Sequence, residues 1–351
     1  MTPTIQPKVI LPLPMSPLPN VNLITPCRNR AEFLRSSLPS WLGCPQLQKI
    51  IVVDFNSTTP VINKLNDLID ERVTVVRVED EPLWRQGRAQ NIGLRLTDAE
   101  LVLKMDADVA LVDIRPYVEQ MADDPTIFFK GFSKLGTSSG LCLAPRLRMR
   151  ATGGYHDHMS GWGGDDVDIY RRLKKQKLKP RVFKPESFYE QRQKMAGKNS
   201  EAPMLDSDLL SDPKKLACRP FFTNFRNTLL ATIQRQTKHR ALRWRYNQAE
   251  DNPNLVYATM KPSSLWREQL ARHNIELANI LALAYYERTE SAWALMNEPK
   301  FQEALHLHRL PPCRSRRESK ALIATLPQRR LKMREFAHKL GVELKTNETP
   351  T

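Results

Sequence analysis

The sequence predicts an α/β protein with a mostly parallel, Rossmann-like sheet flanked by helices, followed by a mainly α-helical, basic C-terminal extension. Three observations carry this prediction. Short β-branched runs alternate with segments of helical period between residues 21 and 105. Polar clusters directly follow several of these runs. Residues 214–351 hold 25 Lys and Arg against 12 Asp and Glu, which is +13 of the net +16 of the chain.

The predicted elements of the first 175 residues alternate along the chain. Strands are predicted at residues 21–25, 49–53, 73–78, 100–105, 126–135 and 141–143. Helices are predicted at residues 31–42, 61–69, 85–96 and 165–175. This order is typical of a doubly wound sheet, in which ligands bind beyond the carboxyl ends of the strands.

Changes of composition divide the chain into four predicted regions. They are a Pro-rich leader (1–20), an α/β domain (21–213), a basic helical region (214–343) and a disordered tail (344–351). A polar stretch at residues 190–215 predicts a loop or linker. Within the basic region, helices are predicted at residues 262–287, 291–308 and 328–341.

Cysteine usage and hydropathy predict the compartment. The five cysteines stand singly, at Cys27, Cys44, Cys142, Cys218 and Cys313. An odd number without a C-x-x-C pair argues against a disulfide framework or a structural zinc site. No apolar run approaches the roughly 20 residues that span a bilayer, and the leader lacks the pattern of a signal peptide. We therefore expect a cytoplasmic protein, with peripheral contact at the inner face of the plasma membrane as an option.

The basic C-terminal region predicts an anionic partner, and three kinds of partner fit: a membrane surface, a nucleic acid or an acidic glycan. A solvated basic surface with no specific partner is the alternative. Trp244 between two arginines suits an anionic membrane or, equally, an RNA backbone, as does the cluster of Arg314, Arg316 and Arg317. Because no base-reading motif accompanies them, no specific nucleic acid is expected.

Two aspartates, Asp106 and Asp108, follow the predicted strand at residues 100–105. Two carboxylates separated by one residue at a strand end can both approach one hard cation. A divalent ion held there would neutralise a departing diphosphate. By itself the D-x-D pattern is common in solvated loops, so the spacing alone does not establish a site.

A second constellation is the segment Gly161–Asp168, which reads G-W-G-G-D-D-V-D. Its glycines permit backbone conformations closed to other residues and close approach of a ligand. Its carboxylates fall at a predicted helix start, where the helix dipole favours their ionised form. An ionised aspartate beside an aromatic ring suits removal of a proton from a sugar hydroxyl. Helix capping by Asp165 with solvated neighbours is the alternative.

A third constellation, P-C-R-N-R at residues 26–30, follows the first strand. Guanidinium groups at a strand end suit a diphosphate. Exposed loop arginines without a ligand are the alternative interpretation.

In order and spacing, these motifs resemble a GT-A-fold, family 2-like glycosyltransferase, and especially the β-1,4-galactosyltransferase and chondroitin-polymerase-type group. Residues 26–32 are similar to that group's P-F-R-N-R-x-E, and residues 54–57 to a strand-end V-D-x-x-S. Residues 88–93 resemble R-x-x-N-x-G, and residues 105–108 occupy the D-x-D position. Gly153, Gly154 and Tyr155, followed by residues 161–166, resemble G-G-Y/F and G-W-G-G-E-D.

The resemblance implies a role for each matching position. Nucleotide-sugar contacts fall to Pro26, Arg28, Arg30, Asp54, Asn56, Arg88 and Asp106. Sugar or acceptor contacts fall to Trp162, Gly163, Gly164 and Asp165. A Mn²⁺ or Mg²⁺ ion would be held by Asp106 and Asp108, of which Asp108 is the expected direct ligand. Asp166 would be the general base.

Three departures from the family pattern bear on specificity and on the metal. Val167 stands where galactosyltransferases carry a third acidic residue, and Asp165 replaces a Glu. The stretch where the family supplies a metal-binding histidine contains none, so either Glu190 or Gln191 substitutes or the metal is held less fully. His156 and His158 are interpreted as polar loop residues near the acceptor rather than as metal ligands.

The resemblance implies an inverting, metal-dependent hexosyltransferase. It would move a sugar, galactose or an N-acetylhexosamine first among the candidates, from a UDP-sugar to a glycan or lipid-linked saccharide in polysaccharide biosynthesis. Glucuronic acid and glucose are alternative donors. The alternatives of another class are a catalytically degenerate protein that binds a nucleotide sugar or glycan, and a basic nucleic-acid-binding protein.

Overall fold

The computed structural model describes residues 18–131, 140–161, 163–190 and 242–264. It also describes isolated positions of the C-terminal region, at 223, 226–228, 230–231, 267–268, 271, 275 and 278. The strands are β1 (Val21–Cys27), β2 (Leu47–Phe55), β3 (Val73–Val78), β4 (Leu101–Lys104), β5 (Val109–Leu111), β6 (Ile127–Lys130), β7 (Cys142–Pro145), β8 (Lys179–Val182), β9 (Phe188–Glu190), β10 (Trp244–Gln248) and β11 (Leu255–Met260). The helices are α1 (Ala31–Leu42), α2 (Ile62–Leu65), α3 (Gln86–Leu96), α4 (Arg115–Asp123), α5 (Arg146–Ala151) and α6 (Asp165–Lys175).

Nine of the strands within the described ranges form one sheet, in the order β10-β11-β3-β2-β1-β4-β7-β6-β8. The central run β11-β3-β2-β1-β4 is parallel throughout. β7 is antiparallel to both of its neighbours, and β10 is antiparallel to β11. β5 and β9 form a separate antiparallel pair. The predicted α/β class with a mostly parallel sheet is confirmed.

The central strands read as continuous apolar runs because both faces of the sheet are covered. One hydrophobic cluster contains Leu23 and Val52 of the sheet together with Trp41 of α1. The cluster on the opposite face contains Val53 together with Ile92 of α3. The sheet therefore lies between helices, as the alternation of elements predicts.

The register of the parallel strands brings their carboxyl ends to one edge of the sheet. Cys27 at the end of β1 lies opposite Asp54, and Ile24 lies opposite Lys104 at the end of β4. The loops that follow β1, β2 and β4 start from this edge, and they contain the sequence motifs singled out above.

The sequence did not predict β10 and β11, which lie in the region assigned to the C-terminal extension. In β11 the buried Val256 and Ala258 alternate with the exposed Tyr257, and the strand adds in parallel to β3. The sheet therefore takes in residues from beyond the predicted domain boundary at 213, which itself stays a prediction.

Other predicted elements differ in length or lie outside the described residues. α2 is a four-residue helix, much shorter than the predicted 61–69. Most of the leader, the linker beyond residue 190, the helices at 291–308 and 328–341 and the tail lie outside the described ranges. Among the residues described, no helix is long and apolar enough to cross a bilayer.

Candidate active site

The D-x-D motif lies at the carboxyl end of β4, where a buried lysine meets it. The side chain of Asp106 is 40% exposed, and its Oδ1 accepts a hydrogen bond from Gln86 Nε2 at 3.1 Å. The ammonium of Lys104 lies 3.0 Å from the same oxygen and 3.3 Å from Oδ1 of Asp166. The ammonium of Lys104 thus lies close to two of the predicted site residues, Asp106 and Asp166.

Asp166 reaches this position from the first turn of α6. The helix is capped by Gly164, whose φ of 93° favours glycine, so Asp165 does not serve as the cap. The Asp166 side chain is 22% exposed, whereas Asp165 is buried and its Oδ2 has no hydrogen-bond partner among the described residues. Asp168 instead pairs with Arg172 at 2.7 Å within the helix.

The charged groups of this cluster shift one another's pKa values. Burial raises the pKa of Asp166 well above its ordinary value, and the positive charge of Lys104 opposes that shift. Burial also raises the pKa of Asp165. Burial alone would lower the pKa of Lys104, but the carboxylates of Asp106 and Asp166 raise it above its ordinary value. The cluster therefore holds a buried ammonium next to a carboxyl group whose pKa is raised.

The second aspartate of the motif, Asp108, is buried, and its Oδ2 lies 3.6 Å from a guanidinium nitrogen of Arg30. The β5–β9 pairing places the backbone of Glu190 opposite Val109, next to Asp108. The side chain of Glu190 and the whole of Gln191 lie outside the description. Backbone register thus supports Glu190 as a neighbour of the D-x-D motif.

These carboxylates suit a hard divalent cation by their chemistry. In the described ranges, no group of three or more His, Cys, Asp or Glu side chains is arranged to hold a metal. A metal contact of Asp106, Asp108 and Glu190 therefore stays a prediction, in which the oxygens of a bound diphosphate would supply further ligands.

The predicted nucleotide-binding residues after β1 and β2 converge on one neighbouring loop. Arg28 donates to the carbonyl oxygens of Glu81 at 3.0 Å and Pro82 at 3.2 Å. Asn56 also donates to the Glu81 carbonyl, at 3.0 Å. Pro26 is buried within β1. Arg28 and Asn56 therefore fix the loop after β3, while Arg30, about one-third exposed, stays at the rim of the site.

Asp54 is fully buried rather than presented to a ligand. Its carboxylate accepts hydrogen bonds from the amides of Ser57 at 3.1 Å and Val61 at 2.9 Å, and it pairs with Arg77 at 2.9 Å. The geometry gives Asp54 a structural role in the turn that follows β2. A direct contact with a nucleotide base stays a prediction.

Arg88 belongs to a network of buried ion pairs. It is almost completely buried, and its guanidinium pairs with Glu81 and with Glu268 of the C-terminal region. Glu268 also pairs with Arg85, and it lies 3.3 Å from Nδ1 of His158. In this structure Arg88 holds protein groups together, so its predicted contact with the nucleotide would be indirect.

Asn91, the asparagine of the R-x-x-N-x-G motif, bonds to the glycine-rich loop. Its side chain exchanges hydrogen bonds with the backbone of Tyr155, at 2.7 Å in each direction, and donates to Asp157 at 2.8 Å. A Cβ on Gly154, whose φ is 78°, would lie 2.1 Å from Asn91 Oδ1. The motif therefore docks α3 against the glycine-rich loop.

The described glycines of that loop, Gly153, Gly154, Gly161, Gly163 and Gly164, all have positive φ. Trp162, predicted to stack on sugars, lies outside the description, while Gly163 and Gly164 lie directly before α6. His156 and His158 are buried in the loop, and Nδ1 of His158 lies 3.3 Å from a carboxylate oxygen of Glu268. Their interpretation as loop residues near the acceptor stays a prediction.

Sequence reasoning missed three groups that shape the site: Lys104, Glu268, and the pair Arg226 and Asn227. Asn227 donates to the Gly163 carbonyl at 2.7 Å, and Arg226 donates to the Ser160 carbonyl at 2.5 Å. For Lys104, a signal was available: a lysine closes an otherwise apolar strand two residues before the D-x-D motif. The other contacts join residues more than 60 positions apart and left no local pattern.

Comparison with known families agrees with this architecture. Residues 22–140 match the model of glycosyl transferase family 2, and residues 133–195 match a model described as the N-terminal domain of galactosyltransferase. The first match spans the strand-end motifs and the second spans the glycine-rich loop and α6. The two matches together cover residues 22–195, and over that range the chain is similar to family 2 glycosyltransferases and to galactosyltransferases. The chain is thus a glycosyltransferase.

Solved structures are similar at low identity. A mannosyltransferase from Pyrobaculum calidifontis, in complex with GDP-Man and Mn²⁺, is 15% identical; the match covers 96% of this chain and 88% of that one, with a TM-score of 0.45. The catalytic domain of Drosophila β1,4-galactosyltransferase 7, in complex with xylobiose, is 11% identical over 70% of this chain and 96% of that one, with a TM-score of 0.44. These likenesses are too distant to transfer residue roles. A search of curated protein sequences finds no match.

Proposed function

We propose that the chain transfers a sugar from a UDP-sugar to a hydroxyl of a glycan or lipid-linked saccharide, with inversion at the anomeric carbon. The observation that carries this proposal is the junction at the sheet edge, where Lys104 lies within 3.3 Å of both Asp106 and Asp166. The ammonium links Asp106, which is expected near the diphosphate of the donor, to Asp166, which is expected near the acceptor hydroxyl. Galactose and the N-acetylhexosamines come first as donors because residues 133–195 match a galactosyltransferase domain.

The proposed reaction is a single displacement. Asp166 accepts the proton of the acceptor hydroxyl, whose oxygen forms a bond to the anomeric carbon. The bond between that carbon and the diphosphate oxygen breaks, and the nucleoside diphosphate leaves with the bonding pair. The raised pKa of Asp166 suits this role, because a carboxylate with a raised pKa is a stronger base.

The proposed cofactor is Mn²⁺ or Mg²⁺, held by Asp106, Asp108 and Glu190 together with the donor. Bound there, the ion would neutralise charge that develops on the diphosphate. Arg30 lies 3.6 Å from Asp108, which places a second positive charge at the same end of the site. In this proposal, Arg30 and Lys104 add positive charge near the diphosphate, and Asp166 serves the acceptor.

The test is turnover of a panel of UDP- and GDP-sugars with Mn²⁺, for the wild type, Asp108→Ala and Asp166→Asn. The proposal expects one donor to be consumed, a chelator to stop the reaction and both substitutions to abolish it. Asp123→Asn, at an exposed position of α4, is the matched control and should leave turnover unchanged. Binding of a nucleotide sugar without turnover in the wild type would favour a degenerate binding protein instead.

We also propose a cytoplasmic location, from cysteine usage and hydropathy, and, from charge alone, contact of the basic C-terminal region with an anionic membrane. Co-sedimentation with vesicles that contain an anionic lipid tests this contact. It should weaken as salt rises, because screening shortens the reach of surface charge. Equal binding to neutral vesicles would refute an electrostatic contact.

A further inference from the structure

Lys104 is a fully buried lysine at the end of β4. Its backbone lies between Ile24 of β1 and Cys142 of β7, so the strand position is fixed from both sides. Burial of an ammonium group is costly unless carboxylates compensate for the lost hydration. Here Asp106 Oδ1 lies at 3.0 Å and Asp166 Oδ1 at 3.3 Å from the ammonium nitrogen.

The fold leaves space for this contact at Gly140. A Cβ at Gly140 would lie 2.6 Å from the ammonium nitrogen of Lys104, and 3.1 Å from Oδ2 of both Asp106 and Asp166. Any other residue would therefore displace the ammonium or one of the carboxylates. The cation and the two carboxylates thus converge at a position where the backbone carries no side chain.

We propose that Lys104 is a positioning residue for the transfer reaction. It holds the base Asp166 beside Asp106, the carboxylate of the donor end, and supplies part of the positive charge there. This inference rests on the proposed function. None of the sequence motifs includes Lys104, and the resemblance assigns it no role.

The position of Lys104 has two opposite consequences. Because it orients Asp166, its loss should slow transfer, since a misplaced base loses much of its effect. Because it repels a divalent cation bound at Asp106, its loss should tighten binding of that cation. A variant that has lost the structure of the site would transfer the sugar more slowly and also bind the cation more weakly. Slower transfer together with tighter cation binding therefore distinguishes a positioning role from a general structural role.

The experiment compares the wild type with Lys104→Gln and Lys104→Arg. Mn²⁺ binding is measured directly by calorimetric titration of the protein, and kcat and KM are measured with the donor identified from the panel. For Lys104→Gln we expect Mn²⁺ to bind about tenfold more tightly or better. We expect kcat to fall by about 100-fold, with donor KM changed by less than about threefold.

Two matched variants control for the change of charge. Lys104→Arg retains the cation and should bind Mn²⁺ as the wild type does, with part of the turnover restored. Lys49→Gln removes the same charge near the start of β2, at the opposite edge of the sheet, where Lys49 pairs with Asp98. It should change neither measurement. Thermal unfolding of each variant confirms that it is folded.

Mn²⁺ affinity that is unchanged or weaker in a folded Lys104→Gln variant would overturn the proposal, as would full turnover. If this variant does not fold, Gly140→Ala displaces the ammonium without removing it. That variant should shift both measurements in the same directions by smaller factors, and no shift would overturn the proposal. If the wild type consumes no nucleotide sugar, the proposed function fails, but the Mn²⁺ titrations still test Lys104.

Discussion

Arg88 and Glu268 form an ion pair that joins α3 to the C-terminal region: a guanidinium nitrogen of Arg88 lies 2.8 Å and 2.7 Å from the two carboxylate oxygens of Glu268. The two residues are 180 positions apart in the sequence. Glu81, Arg85 and His158 complete the network. The C-terminal region therefore takes part in the architecture that supports the site, and does not only add positive charge.

Replacement of Glu268 should destabilise the fold. Glu268→Ala leaves Arg88 buried without one of its two carboxylate partners, and removal of one member of a buried pair costs about 3–5 kcal/mol. Chemical denaturation at pH 7 measures the free energy of unfolding. Glu250→Ala, at an exposed position before β11, should change it by less than about 0.5 kcal/mol. Equal stability of the two variants would show that the network contributes little.

The same pair predicts a pH dependence of stability. Burial alone would raise the pKa of Glu268, but His158 and the arginines lower it well below its ordinary value of 4.5. A depressed carboxyl pKa contributes stability above the unfolded-state value, and that contribution is lost as pH falls below it. The difference in unfolding free energy between the wild type and Glu268→Ala should therefore be largest above pH 4.5 and should shrink below it. A difference that grows with acidity would contradict this assignment.

Gly154 should tolerate no side chain. In Gly154→Ala the new Cβ would lie 2.1 Å from Asn91 Oδ1, at a φ of 78° that L-residues rarely adopt. We expect a loss of about 2 kcal/mol or more in unfolding stability, together with lower turnover, because the loop leads to α6. Gly43→Ala is the control, since its φ is −72° and its nearest contact lies at 3.4 Å. Thermal unfolding of both variants distinguishes the two positions.

Arg226 should act on turnover through the glycine-rich loop. It is buried and donates to the carbonyl and the hydroxyl of Ser160, within that loop. Arg226→Ala frees the loop that leads to Asp166, so kcat should fall by about tenfold or more while donor KM changes little. Arg243→Ala, at an exposed position of the same C-terminal region, should leave both parameters unchanged. An equal effect of the two substitutions would argue against a specific contact.

As pH decreases, activity should be lost at a higher pH than an ordinary aspartate would give. Burial raises the pKa of Asp166 well above 3.8, and only the ionised carboxylate can accept a proton. The value of kcat/KM should therefore fall as pH decreases through a range above 3.8. A profile that is flat down to pH 4 would contradict the assignment of Asp166 as the base.

The sequence predicted the first part of the fold well because its signals are local. Helices α1 and α6 and strand β3 have the predicted bounds, since each combines a clear period with glycine or polar residues at its ends. β10 and β11 were missed because the basic charge of their region favoured helices with an anionic partner. Pairing with β3, 180 residues earlier, is not visible in a local pattern.

The contacts of the candidate site were not visible in the sequence. Asp106 and Asp166 lie on either side of the Lys104 ammonium, and their roles in donor and acceptor binding stay predictions. Asp54 at the end of β2 and Arg88 in α3 are instead buried in contacts with protein groups, which depend on the residues that pack over them in the fold. Lys104 was overlooked because a lysine at a strand end normally extends into solvent.

The measurement that tests the central claim most directly separates donor binding from transfer in Asp166→Asn. Calorimetry gives the affinity for the UDP-sugar with Mn²⁺, and a product assay gives kcat. If Asp166 is the base, donor affinity should stay within about threefold of the wild type while kcat falls by about 10³-fold or more. A variant that binds the donor and transfers the sugar at the wild-type rate would contradict the account.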